Sequence, residues 1–174
     1  SVTISDQKGC FDDTVVNVEQ PDSLFIFATS QDSVSCSSLN DGKAIVDSVS
    51  GGNGIFTYSW DVAAGSQTTD TASMLNAGTY WVTVTDQKNC TDSTDITVLE
   101  PNSIVVYTSI VSVSCFGLSD GKAVVDSVSG GNGVFTYLWD ILAGNQTTDT
   151  ASNLTVGTYS VNVSDQNNCF VDST

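Results

Sequence analysis

Apolar and polar positions alternate along most of this chain, and no stretch carries the three-to-four spacing of an amphipathic helix. Leu24-Phe25-Ile26-Phe27 followed by Val34, Ala44-Ile45-Val46, Phe56-Thr57-Tyr58-Ser59-Trp60 and Tyr80-Trp81-Val82-Thr83-Val84-Thr85 are β-branched and aromatic runs broken by Gly, Asn and Asp. Period two in such residues argues half-buried strands, and the breaks argue tight turns. The pattern predicts strands near residues 23–35, 43–50, 55–61, 68–75, 79–85 and 92–99, with a short extra one near 62–67. Turns fall at Asn40-Asp41-Gly42 and Gly51-Gly52-Asn53-Gly54, residues that tolerate tight or left-handed backbone. Six or seven short strands within about 80 residues predict an all-β sandwich.

Two aromatic placements refine that prediction to an immunoglobulin-like topology. Leu75-Asn76-Ala77-Gly78-Thr79-Tyr80 and Leu154-Thr155-Val156-Gly157-Thr158-Tyr159 have the form of a tyrosine corner, and Trp60 and Trp139 stand where a sandwich buries the Trp of its third strand. These side chains are expected to be core. Trp81 is expected to face outward, because its neighbours Tyr80 and Val82 face inward, and it becomes a candidate contact for a neighbouring domain, a sugar or another filament.

The pattern also repeats. Cys36 to Thr94 returns as Cys115 to Thr174, with Gly42 and Gly121, and Trp60 and Trp139, each 79 residues apart. Residues 1–21 match the repeat ending Asp86 to Pro101. The expected organisation is therefore tandem, end-to-end domains: residues 1–21 as the C-terminal hairpin of a preceding repeat, 22–101 as repeat 1, and 102–174 as repeat 2 with its last strand incomplete. The expected context is a longer polymer of domains. Repetition of this kind supplies length, stiffness or multivalent display more readily than a single active site.

Charge narrows the partners. Four lysines, no arginine and no histidine stand against 20 acidic residues, a formal charge of −16. That field repels nucleic-acid phosphates and anionic headgroups. No direct membrane insertion is expected, since no apolar run reaches about 18 residues. Without His or Arg there is no triad, His-metal site or arginine clamp, and no pair of aspartates is singled out by spacing, so an enzyme is not expected.

Five cysteines occupy two slots: Cys10, Cys90 and Cys169 in one, Cys36 and Cys115 in the other. With no CxxC and no His, they look like disulfide staples of an extracellular protein. In a sandwich with its termini at opposite poles, the loop holding Cys36 lies at the C-terminal pole and the hairpin holding Cys90 at the N-terminal pole. Those poles lie roughly 40 Å apart, whereas bonded cysteines have Cα atoms within about 7 Å. This favours a bond between repeats, Cys36 to Cys169, with Cys10, Cys90 and Cys115 pairing outside this sequence. One strand counted differently would restore the intra-repeat pairs Cys36 to Cys90 and Cys115 to Cys169, so both schemes stand.

Two further features involve aspartate. Loop residues Asp41, Asp61, Asp86 and Asp92, with Asp120, Asp140, Asp165 and Asp172, supply hard oxygens of the kind calcium takes, and the strongest candidates for a calcium cofactor are Asp41, Asp61, Asp86, Asp120, Asp140 and Asp165. No DxDxDG loop is present, and Asp is an ordinary turn residue. Asp also precedes Ser or Thr, with an apolar residue or Thr next, at Thr14, Ser23, Ser33, Ser48, Thr71, Ser93, Ser127, Thr150 and Ser173. This context resembles the O-glycosylation acceptor of Bacteroidota surface proteins. Sugars there would cover strand faces and exposed edges.

The order Val-Ser-Cys, Asp-Gly-Lys-Ala, Ser-Gly-Gly-Asn-Gly, Phe-Thr-Tyr-x-Trp, Leu-x-x-Gly-Thr-Tyr, Val-x-Val-[Thr/Ser]-Asp-Gln-x-Asn-Cys resembles the SprB repeat of Bacteroidota across both copies and the leading hairpin. Lys43 and Lys122 stand where that family commonly has Ser. The resemblance implies giant cell-surface adhesins exported by the type IX secretion system and moved along the cell in gliding, with cell-surface machinery and substratum as partners. It implies no active site. Three functions follow as expectations: a structural stalk whose partners within the chain are neighbouring repeats; carbohydrate-binding modules using exposed aromatics and loop aspartates; or a self-assembling extracellular filament or sheath.

Overall fold

A computed structural model describes all 174 residues. The chain is all-β, with fourteen strands and one 3₁₀ turn, Ile141–Ala143. A leading hairpin pairs β1 (Val2–Ser5) with β2 (Phe11–Thr14). Six strands follow: β3 (Phe25–Asp32), β4 (Gly42–Ser50), β5 (Thr57–Trp60), β6 (Thr71–Leu75), β7 (Gly78–Thr85) and β8 (Thr91–Val98). The second set is β9 (Val105–Val111), β10 (Gly121–Ser129), β11 (Thr136–Trp139), β12 (Thr150–Leu154), β13 (Val161–Ser164) and β14 (Phe170–Ser173).

Each set makes two antiparallel three-stranded sheets, β3-β4-β6 facing β5-β7-β8 and β9-β10-β12 facing β11-β13-β14. First, second and fourth strands share one sheet, and third, fifth and sixth the other. This is the immunoglobulin-like arrangement with six strands. The extra strand expected near 62–67 does not form. Val62-Ala63-Ala64 has strand-like composition, but the Asp61 carboxylate accepts the Ala64 N–H at 2.9 Å and bends the segment into a turn. Asp140 does the same for Ala143 at 2.9 Å, where the turn becomes 3₁₀. A side-chain bond made three residues ahead offers the backbone an alternative to a ladder.

Alternation explains the cores. In β7, Tyr80, Val82 and Val84 are buried while Trp81 is 55% exposed, so the outward orientation expected for Trp81 is what the strand adopts. Fourteen buried residues between Leu24 and Val98 form one core and eight between Ala123 and Val163 the other. Trp60 and Trp139 lie at the centre of each, 2% exposed, their indole N–H groups donating to the Thr69 and Thr148 carbonyls at 2.8 and 2.9 Å. Buried indoles need such a partner. The Tyr80 hydroxyl donates to the Asn76 carbonyl at 2.9 Å, and Tyr159 to that of Thr155 at 2.9 Å. Both tyrosine corners are therefore closed.

The second core is smaller for a visible reason. In the first, Gly78 to Trp81 pair with Asp95 to Val98, and Ile96 and Val98 are buried. The positions 79 on from Ile96 and Val98 are not among these residues, which run to Thr174. Val161 to Ser164 alone therefore pair with β14. An apolar groove lined by Val113, Gly121, Leu154 and Tyr159 lies where Ile96 and Val98 pack in the first sandwich.

Candidate functional site

The site is the junction between the sandwiches, and backbone geometry builds it from both sides. On the first, the loop after β3 carries Cys36. Asp41 accepts the Ser35 N–H at 2.9 Å, the Val34 N–H donates to the Leu99 carbonyl at 3.0 Å, and the Leu39 N–H returns to the Cys36 carbonyl at 3.2 Å. Glu100, just past β8, accepts the Ser38 N–H at 3.0 Å and the Ser37 hydroxyl at 3.4 Å. The Cys36 loop is thus tied to the segment that leads into the next repeat, where the Ser103 hydroxyl donates to Ser37 Oγ at 3.1 Å.

On the second side, the β13–β14 hairpin presents Cys169. Asp165, 4% exposed, accepts the N–H groups of Asn167 and Cys169 at 2.9 and 3.0 Å and that of Asn132 at 2.8 Å. One carboxylate therefore shapes the hairpin and anchors it to the neighbouring Gly-Gly-Asn-Gly loop. Asn168 closes the turn with a left-handed φ of 61°.

Between these two surfaces Cys36 and Cys169 are joined as a disulfide, their Cα atoms 5.5 Å apart. Asn167 Nδ2 donates across the same junction to the Ser35 carbonyl at 3.4 Å. A cleft of about 380 Å³ lies beside the bond, bordered by Leu39, Pro101, Ile104 and Phe170. Cys10, Cys90 and Cys115 are free and exposed. Cys36 and Cys90 lie near opposite ends of β8, since Leu99 meets Val34 beyond one end and Cys90 precedes the other. Eight strand residues span roughly 26 Å, too far for a bond within the repeat.

Sequence reasoning missed the reason for the cysteine-bearing hairpins. Asp-Gln-x-[Gly/Asn]-Cys occurs three times, at Asp6–Cys10, Asp86–Cys90 and Asp165–Cys169. In each the Asp carboxylate accepts the N–H groups two and four residues on, at 2.8 to 3.0 Å. The residue before Cys is left-handed every time, with φ 83° at Gly9, 63° at Asn89 and 61° at Asn168, and only Gly and Asn take that conformation readily. The recurrent spacing was the available signal.

These bonds also set the acidity of the loops. The N–H groups of Cys10 and Lys8 hold the Asp6 carboxyl below the usual range. Burial pushes Asp86 upward, yet the N–H groups of Cys90, Lys88 and Asn53 outweigh it and its pKa is lowered. Hydroxyl and N–H bonds from Ser35 and Ser114 lower Asp41 and Asp120, and the Ser160 N–H, reinforced by that of Ala143, lowers Asp140. Asp61 takes the N–H of Ala64 and, at 3.1 Å, that of Trp81. The six aspartates considered for calcium are thus spread over separate loops, each turned toward its own backbone, and no three acidic or thiol groups converge in a metal-binding arrangement.

None of the nine Asp-Ser/Thr sites is buried: Thr14, Ser23, Ser33, Ser93 and Ser127 are exposed, and Ser48, Thr71, Thr150 and Ser173 half-buried. Trp81 stands opposite Asp95 on the outer face, and the corresponding Ser160 of the second sandwich donates its hydroxyl and N–H to Asp140. No helix is long and apolar enough to cross a membrane.

Comparison with known proteins gives two results. A solved structure of three N-terminal domains of the bacteriophage RB49 Highly Immunogenic Outer Capsid protein (Hoc) aligns at 15% identity with a TM-score of 0.47, covering 87% of this chain. The chain spans 57% of that structure's length. No curated protein matches in sequence. The SprB repeat profile matches at residues 28–65 and again at 107–144, each match running from the first strand of a sandwich past its buried Trp. Both sandwiches are therefore similar to the SprB repeat over these residues.

Proposed function

We propose that this chain is a length of stalk from a giant, filamentous bacterial cell-surface adhesin, in which the repeats act as rigid spacers and hold a binding tip away from the cell. The two matches to the SprB repeat support the adhesin class. The observation that carries the stalk reading is the junction, where successive sandwiches are connected twice, by the backbone through Glu100 to Ser103 and by the Cys36–Cys169 bond. A single linker permits bending and twisting. A second covalent tie beside it removes most of that freedom, so the pair holds a fixed direction.

In this reading the units run 22–101 and 102–174, residues 1–21 close a preceding unit, and Cys10, Cys90 and Cys115 make the same bond with neighbouring repeats. The unburied Asp-Ser/Thr sites are O-glycosylated and cover the edge strands β3 and β8. The leading hairpin supports the arrangement, since β1 and β2 repeat the register of β7 and β8: Val2 faces Thr14 as Val82 faces Thr94. Attachment and surface gliding, export by type IX secretion, and contact with substratum through other parts of the protein complete the proposal. The reading contains no catalytic step and no cofactor.

Small-angle scattering of the oxidised 174-residue chain tests it. The expected result is a stiff particle whose longest dimension is near two sandwich lengths, roughly 80 Å from about 3.3 Å per strand residue, plus the leading hairpin. Reduction should broaden the distance distribution. A compact, folded-back pair of domains, or an unchanged profile on reduction, would contradict the stalk. Binding of the purified chain to a glycan array would favour carbohydrate-binding modules instead.

A further inference from the structure

We propose that the Cys36–Cys169 bond is a load shunt: tension drawn along the chain crosses from Cys36 to Cys169 through sulfur and bypasses the strands between them. The covalent path decides this. Cys36 lies in the loop after β3, Cys169 immediately precedes β14, and the two are 133 positions apart in sequence but 5.5 Å apart in space. Every strand from β4 to β13 lies inside the closed ring, including Trp60, Trp139, both tyrosine corners and the linker from Glu100 to Ser103. Tension cannot lengthen the interior of a closed ring, whatever the strength of its hydrogen bonds.

Only the leading hairpin, β3 and β14 lie outside. Both β3 and β14 are edge strands, so load can peel them from β4 and β13 one ladder bond at a time. The chain therefore has a short extensible part in series with a long protected one. Reduction by a dithiol, which returns two thiols and oxidises the reductant, opens the ring. It then releases on the order of 45 nm of chain, at about 3.3–3.6 Å per residue. The proposal rests on the stalk reading only for the origin of the tension, because the ring itself is a property of the connectivity.

Single-molecule force spectroscopy tests it directly, with the 174-residue chain held by non-thiol handles at both ends. The oxidised chain should reach an end-to-end length of roughly 14 nm, the contour of the residues outside the ring, and the reduced chain roughly 45 nm more. Cys169→Ser should lengthen like the reduced chain and ignore reductant. Equal lengthening of oxidised and reduced chains would overturn the shunt, as would a Cys169→Ser chain that stays short. Thiol titration of the same sample should count three free thiols before reduction and five after. Five beforehand would overturn the shunt. Scattering decides the stalk separately: a rigid rod that extends fully under load keeps the stalk and loses the shunt.

Discussion

At the residue scale, the chain uses aspartate as a backbone clamp. Asp165 holds three N–H groups, and Asp86 holds those of Asn53, Lys88 and Cys90. Asp165→Ala should loosen the hairpin that presents Cys169, so a larger share of the purified chain should show five free thiols rather than three. Asn168→Val, which places a β-branched residue at φ 61°, should act in the same direction. The lowered carboxyl pKa values give a pH dependence with a definite sign. A carboxyl lowered in the folded chain contributes fully above its unfolded value, 3.8 for Asp6, Asp41, Asp86, Asp120 and Asp140, and its contribution is lost as pH falls below that value through the folded one. Urea unfolding midpoints should be level between pH 7 and about 5 and drop below about 4. A midpoint that rises on acidification would mean that relief of the −16 charge dominates the loops.

At the element scale, most of the fold was legible, because half-buried strands write their period into the sequence. Every β7 residue faces the side that alternation assigns it, and the six strands of the first sandwich fall within or close to the segments that the turns mark off. The 62–67 segment was misread because composition says nothing about a carboxylate one residue upstream that captures the Ala64 N–H. The roles of Asp86 and Asp165 were hidden for the same reason: an Asp in a turn looks alike whether it serves its own backbone or a ligand. The cysteine pairing stayed open because it depends on which pole each loop occupies, a property of the assembled strands. Three substitutions probe the elements. Tyr80→Phe, which leaves the Asn76 carbonyl without its donor, should cost about 1 kcal/mol, and Trp139→Ala about 3–5 kcal/mol, in urea unfolding. Gly51→Ala should destabilise more than an ordinary loop change, because φ is 68° and a Cβ would lie 2.0 Å from the Ser23 carbonyl oxygen.

At the scale of the whole molecule, the chain has few means of holding two domains in line. One ion pair, Lys43 with Asp32 at 3.4 Å, lies within the first sandwich, and the junction hydrogen bonds are few and exposed. The covalent bond therefore carries the alignment. In the chain-entropy picture, closing a ring of this length stabilises the folded chain by about 5 kcal/mol. Reduction should accordingly lower the urea midpoint and let the two sandwiches unfold at separate concentrations of denaturant, while each keeps its own core. Partition of that kind suits a stalk, in which a repeat can fail without its neighbour. The measurement that reaches the centre of this account is proteolytic mapping of the unreduced chain by mass spectrometry. The account predicts a linked pair of peptides containing Cys36 and Cys169; peptides linking Cys36 to Cys90 and Cys115 to Cys169 would confine each bond to one repeat and contradict it.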